Sequence, residues 1–245
     1  MSRRTRRAVV GLAAAGAVLT TSCGVLPEMP PPVPADIAPS PVSPSLGAEH
    51  SEQLSPDGFD AVQRMAVRVR NVGCENLSTG SGFAIDEHTL ITNRHVVAGS
   101  ETLEVNTYDG RDIDVATASA ASLADLAVVR TEDPLPSSPQ IAESDPRQGD
   151  RVTVVGYPSG GELTVTDGEV IGSTTDPLNE NLGEVLITDA PVEPGSSGSA
   201  ALDEQGRVIG VVYAKTTDGR SLVVPASTLR ALLDDGAAFT DLPPC

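Results

Sequence analysis

From about residue 60 onward, short Val-rich runs alternate with Gly, Pro, Asn and Asp, and several runs alternate polar and apolar residues along their length. Strict alternation sends every second side chain to one face, which suits an antiparallel strand with one side buried and one side wet. Leu103-Glu104-Val105-Asn106 is such a stretch. The pattern predicts strands at 64–72, 80–85, 89–92, 102–107, 113–118 and 126–130, and a second set at 151–156, 162–165, 169–173, 185–189, 200–202, 208–214 and 221–224. With three Phe, three Tyr and no Trp, the core has to come from Val, Leu, Ile and Ala. Two helical signals stand out: a short turn at 95–98, and 225–233, where Ser227 offers a cap and Leu229, Leu232 and Leu233 share a face. The expected fold is all-β. It has two six-stranded antiparallel barrels, at about 60–130 and about 148–224, and a C-terminal helix at about 225–235.

The N-terminus reads differently. Ser2-Arg3-Arg4-Thr5-Arg6-Arg7 precedes an apolar run from Ala8 to Leu19, too short to span a bilayer and suited to an export signal. The run ends in Leu19-Thr20-Thr21-Ser22-Cys23, similar to a lipobox whose Cys is lipidated, although Thr20 occupies the place usual for Leu. Ordinary signal cleavage and a retained anchor remain alternatives. Residues 1–23 are therefore expected to be a lipoprotein-type signal, and the Pro-rich stretch 24–57 an extended spacer with too little apolar surface to fold. Residues 58–245 then form the domain. Beyond residue 22 the chain carries 12 basic against 34 acidic residues, a formal charge of −22, which argues against nucleic-acid partners. Lipidation of Cys23 leaves Cys74 and Cys245, which an oxidising compartment permits to pair. Three Cys and three His, widely scattered, make no metal site, and no cofactor motif is present.

Chemistry enters with Pro194-Gly195-Ser196-Ser197-Gly198-Ser199. Acyl transfer needs a serine on a tight turn with backbone N–H groups aimed at a developing oxyanion, and glycines permit such turns. Alone, the hexamer reads equally well as a Gly/Ser surface turn. Two more motifs change that. Thr92-Asn93-Arg94-His95-Val96-Val97 places a histidine just after a strand, and Ala124-Asp125-Leu126-Ala127-Val128-Val129 places an aspartate just before one. The order His, Asp, Ser matches the chymotrypsin type, not subtilisins or α/β-hydrolases.

These three motifs, 30 and then 72 residues apart, with the following Gly206-Arg207-Val208-Ile209-Gly210, resemble the bacterial trypsin-like serine proteases. The resemblance is to HtrA-type protease domains and glutamyl endopeptidases, and it covers roughly residues 60–235. It implies a chymotrypsin-like double barrel and a serine endopeptidase. Ser197 would be the nucleophile, His95 the general base and Asp125 the group that orients it, with Gly195, Ser196 and Ser197 as oxyanion donors. Ser196 stands where pancreatic-type enzymes carry an Asp, so activation by a freshly cut N-terminus is not expected. Ser199 stands where Gly is commoner. The chain runs only a short way past the last helix, so a form without a PDZ domain is expected. The placement of Cys74 and Cys245 is similar to that in the membrane-tethered periplasmic acid-resistance proteases of actinobacteria, which implies a disulfide between them. A monomer, lipid-anchored on the extracytoplasmic face and acting on proteins or peptides, is the resulting expectation.

Two rival readings are a non-catalytic lipoprotein that uses the fold as a binding module, and an esterase. Several residues have plainer readings. His88 belongs to a hairpin turn, His50 to the spacer, and Asp112 and Asp114 to the outer face of a strand. Tyr213, Ala214 and Lys215 either line a substrate pocket or pack, and Glu193 lies near Ser197 without holding the place of a trypsin-like specificity carboxylate. Small or aliphatic residues are expected at the substrate position before the scissile bond.

Overall fold

The computed structural model describes residues 60–178, 183–243 and 245. The expected signal segment, the spacer and Cys23 lie outside the described residues. Two antiparallel sheets dominate. The first runs β1 (Ala66–Gly73), β2 (Leu77–Asp86), β3 (Thr89–Thr92), β4 (Ser100–Thr107), β5 (Asp112–Ile113), β6 (Val115–Ala121) and β7 (Ala127–Thr131), and takes up a C-terminal β14 (Phe239–Asp241). Its order is β14-β6-β7-β3-β2-β1-β4-β5. The second comprises β8 (Arg151–Gly156), β9 (Thr164–Thr175), β10 (Glu184–Thr188), β11 (Ala200–Leu202), β12 (Val208–Lys215) and β13 (Ser221–Pro225), and closes into a barrel in the order β10-β13-β12-β11-β8-β9. Three helices are short: α1 (Ala61–Arg64), α2 (Arg94–Val97) and α3 (Ala226–Asp234). The architecture is the chymotrypsin-like double barrel with a C-terminal helix.

Four details depart from the sequence expectation, each for a physical reason. The first sheet counts eight strands rather than six. The stretch predicted at 113–118 changes partner at Asp114: Ile113 pairs with Val105 on β4, whereas Val115 onward pairs with β7. The run 239–241, too short to signal a strand, gains its order from pairing with β6. The strands predicted at 162–165 and 169–173 are one, because Asp167-Gly168 reads as a turn but lies inside β9. Gly168 pairs with Val152, and a Cβ there would strike the backbone of Ala190; it is a site of close approach, not a break. Finally, Ser227 does not cap α3. Its N–H and hydroxyl both donate to the Asp145 carboxylate, which serves the helix N-terminus from another loop.

The largest core cluster joins the two sheets. Met65, Phe83 and Leu126 from the first pack with Tyr157, Leu202 and Tyr213 from the second. Two further clusters fill the individual sheets, built around Val67, Val69 and Leu90 and around Val154, Val212 and Val223. His88 sits in the β2–β3 turn, its N–H donating to Asp86 Oδ1 at 2.8 Å, and Asp112 and Asp114 are exposed on either side of buried Ile113. Cys74 and Cys245 form a disulfide, and the N–H of Cys245 donates to the carbonyl of Ser100 at the start of β4.

Candidate active site

His95 and Asp125 are brought together by adjacent strands. β3 and β7 pair from Thr89↔Arg130 to Thr92↔Ala127, so the residues just beyond the end of one and just before the start of the other face each other. Buried Asn93 ends the extended segment and its Nδ2 donates to the carbonyl of Asp125 at 2.7 Å. The chain then turns into α2, which Asn71 Nδ2 ties to β1 through the carbonyls of Val96 and Ala98. Asp125 holds His95 with both oxygens. Oδ1 accepts from the His95 backbone N–H at 2.9 Å and Oδ2 from Nδ1–H at 2.5 Å. This arrangement fixes the ring and places the proton on Nδ1, leaving Nε2 as the acceptor. The His95 side chain is half exposed.

Ser197 sits on a tight turn between two sheets. Gly195 adopts φ +96°, closed to residues with a side chain, and a Cβ there would strike the backbone N of Ser159. Gly198 has φ +88°, and a Cβ there would collide with the carbonyl of Ser81. β12 braces the turn: Gly198 N–H donates to the Val212 carbonyl at 2.8 Å and Val212 N–H to that of Ser199 at 3.0 Å. The N–H of Ser196 is spent within the turn on the Glu193 carbonyl at 2.9 Å, so the expected third oxyanion donor is not available. Among the described residues the amides of Gly195 and Ser197 donate to no acceptor, which suits a pair of donors held for an anion. No hydrogen bond joins Ser197 Oγ to His95 among the described residues; such bonds tighten when substrate binds.

Ser81 was not singled out from the sequence, yet it is the hub of the site. Fully buried on β2, it donates through its N–H to the Ser197 carbonyl and through its hydroxyl to the Gly195 carbonyl, both at 2.8 Å. Its hydroxyl accepts from Tyr157 N–H, and its own carbonyl accepts from Thr92 Oγ1 at 2.6 Å. One residue thus links the strand that leads to His95 to the serine turn. The signal was the run Gly80-Ser81-Gly82 inside a strand, where glycines mark close backbone approach. A Cβ at Gly80 would indeed strike Val96 of α2.

Two further pairs each take one partner from β12. Buried Tyr213 donates its hydroxyl to Asp176 Oδ1 at 2.7 Å, with Asp176 itself only 2% exposed. Burial first, and then that hydrogen bond, push the Tyr213 phenol well above its ordinary range. Burial likewise pushes Tyr157 up to about 12, against the opposing charge of Arg68. At the surface, Lys215 Nζ lies 2.9 Å from Glu193 Oε1. No group of His, Cys, Asp or Glu among the described residues could hold a metal ion.

The chain is similar to known serine proteases. The chain is 35% identical over 169 residues to the mitochondrial serine protease HTRA2 of Bos taurus, covering 65% of this chain and 36% of that protein. It is 30% identical over 171 residues to the serine protease Rv3671c of Mycobacterium tuberculosis, covering 64% and 42%. The chain therefore spans well under half the length of these relatives. The solved active form of the Rv3671c protease superposes with a TM-score of 0.65 at 27% identity, covering 76% of this chain and 85% of that one. The family model for the trypsin-like peptidase domain matches residues 80–211, a span that holds His95, Asp125 and Ser197, and the chain belongs to that family.

Proposed function

We propose that the protein is a serine endopeptidase in which His95, Asp125 and Ser197 form the catalytic triad. The observation that carries this reading is the double grip of Asp125 on His95, set beside a serine turn whose Gly195 and Ser197 amides are unspent. Ser197 Oγ attacks the scissile carbonyl while His95 Nε2 takes its proton. The carbonyl oxygen, now anionic, is held by the N–H groups of Gly195 and Ser197. The imidazolium, stabilised by Asp125, then gives the proton to the leaving amine, and a water attacks the acyl-enzyme by the same route in reverse. Oxyanion stabilisation of this kind is worth about 3–4 kcal/mol per donor.

The site of action is read from the N-terminus: an export signal ending at a lipidated Cys23, with the Pro-rich segment 24–57 as the tether that holds the domain away from the membrane on its outer side. Its substrates are then proteins or peptides of the cell envelope. The test is labelling of the full chain by a fluorophosphonate probe together with peptide cleavage. Both are expected in the wild type and absent in Ser197→Ala. A wild type that neither labels nor cleaves would sink the enzyme reading and leave the binding module. Metabolic incorporation of a fatty-acid probe, lost in Cys23→Ala, tests the anchor.

A further inference from the structure

Gly195 carries one of the two free amides of the serine turn, and the same glycine makes that amide easy to misdirect. A planar trans peptide points its carbonyl and its N–H in opposite directions, so the Gly195 N–H is free for an anion only while the Pro194 carbonyl faces away from it. A glycine that permits φ +96° permits the turned-over peptide as well, because no Cβ bars either orientation. Turned over, the Pro194 carbonyl would set a negative dipole where the oxyanion develops. The turn therefore needs a lock on this one peptide from outside. The neighbouring carbonyls are held by other groups, that of Glu193 by Ser196 N–H and those of Gly195 and Ser197 by Ser81. The Pro194 carbonyl is taken by the backbone N–H of Ser159 at 2.6 Å.

Ser159 lies in a short turn, Pro158–Gly160, between β8 and β9. Its φ is +55°, the one positive φ at a non-glycine position among the described residues. A side chain disfavours this conformation, which persists only where the surroundings impose it. Here they come from the first sheet. Arg68 on β1 donates from Nη1 to the Gly160 carbonyl at 3.4 Å and from Nη2 to Asn106 Oδ1 at 3.1 Å. Thr79 on β2 packs against Gly160, where a Cβ would lie 3.0 Å from it. The N–H groups of Gly160 and Gly161 close the turn on the carbonyls of Tyr157 and Pro158. The Ser159 side chain is exposed, so the constraint falls on its backbone. On the endopeptidase reading, on which this rests, we infer that the Ser159 N–H is the positioning group that keeps the Gly195 N–H aimed at the oxyanion, and that its left-handed backbone serves to present it. Ser159 touches no reacting atom; it acts through the Pro194–Gly195 peptide.

The experiment measures, on the full-length chain, steady-state cleavage of a peptide and affinity for a peptide trifluoromethyl ketone. Ser197 Oγ adds to that ketone, its proton passes to His95, and the carbonyl oxygen becomes an anion facing the same two amides. Ser159→Val puts a branched side chain where φ is left-handed and is expected to vacate that conformation. Its kcat is expected to fall roughly 100-fold, the effect of losing one oxyanion donor, with KM within about threefold of wild type. Affinity for the ketone is expected to fall by a similar factor while that for the cleaved product peptide holds. Ser159→Gly, which takes the same φ without strain, is expected to recover the loss to within about threefold. Replacing the amide between residues 158 and 159 by an ester removes the N–H alone, and is expected to reproduce the loss even where Ser159→Val fails to fold. An ester variant with wild-type kcat and ketone affinity overturns the inference and leaves the endopeptidase intact, as does a loss that falls equally on product binding. A wild type that neither cleaves nor labels with the fluorophosphonate overturns both.

Discussion

At the residue scale, Asp125 and Ser199 illustrate opposite uses of a buried or half-buried polar group. Asp125 spends both carboxylate oxygens on His95, so Asp125→Asn turns one acceptor into a donor and forces the wrong imidazole tautomer. A fall in kcat of about 10⁴ is expected with little change in thermal midpoint, measured by steady-state kinetics beside calorimetry. Ser199 is the reverse case. It is fully buried, and its hydroxyl lies against Gly156, where a Cβ would collide with it, and has no hydrogen-bond partner. An unmade hydrogen bond of this kind costs about 1 kcal/mol or more. Ser199→Ala is therefore expected to stabilise by about 1 kcal/mol, a rise of about 2–4 °C in Tm, without loss of activity. Gly198→Ala goes the other way. A left-handed φ and the Ser81 carbonyl both exclude the added methyl, and the turn, with labelling of Ser197, is expected to be lost.

At the element scale, the site depends on where strands end. β6 and β7 form a hairpin whose turn carries Asp125, and β14 covers the outer edge of β6. That C-terminal strand is short, and Leu242 N–H continues its pairing onto the Ala118 carbonyl. Just beyond it the Cys74–Cys245 disulfide fastens the chain end to the β1–β2 connection, across 171 residues. Closing so long a loop stabilises by about 5 kcal/mol in the chain-entropy model. Cys74→Ser with Cys245→Ser is expected to lower the unfolding free energy by several kcal/mol in denaturant titrations. An unchanged midpoint would show that pairing with β6 alone holds the tail.

At the scale of the whole molecule, the two sheets are joined by a shared core, and two of the three tyrosines lie in it. Tyr157 and Tyr213 both have phenols raised by burial, Tyr157 to about 12. A raised phenol contributes nothing to unfolding below the unfolded value of about 10, where both states keep the proton. Above it the unfolded chain ionises and the folded one does not, so stability falls as pH rises from about 10 through 12. Alkaline unfolding followed by circular dichroism is expected to coincide with phenolate absorbance. In Tyr213→Phe the transition is expected to shift to higher pH, provided that Asp176 is replaced by Asn so that no buried carboxylate is left without its donor.

The sequence determined much of this by period and order. Alternation along β1 and β4 marks them as half-buried strands, because side chains on a pleat alternate faces wherever the strand lies. The order of His95, Asp125 and Ser197 is a property of the chain and needed no coordinates, and Gly195 and Gly198 announce a backbone that only glycine adopts readily. Partners were another matter. Ser81 and Asn93 are ordinary polar residues in the sequence, and they become the braces of the site because segments distant along the chain bring acceptors or donors to them. The same holds for β14, ordered by an edge that β6 offers, and for Asp167-Gly168, a turn signal overruled by pairing along β9. Local chemistry decides which conformations a segment can take; hydrogen bonds across the sheets decide which it does take. Only the tertiary structure could pair Lys215 with Glu193, 22 residues away along the chain.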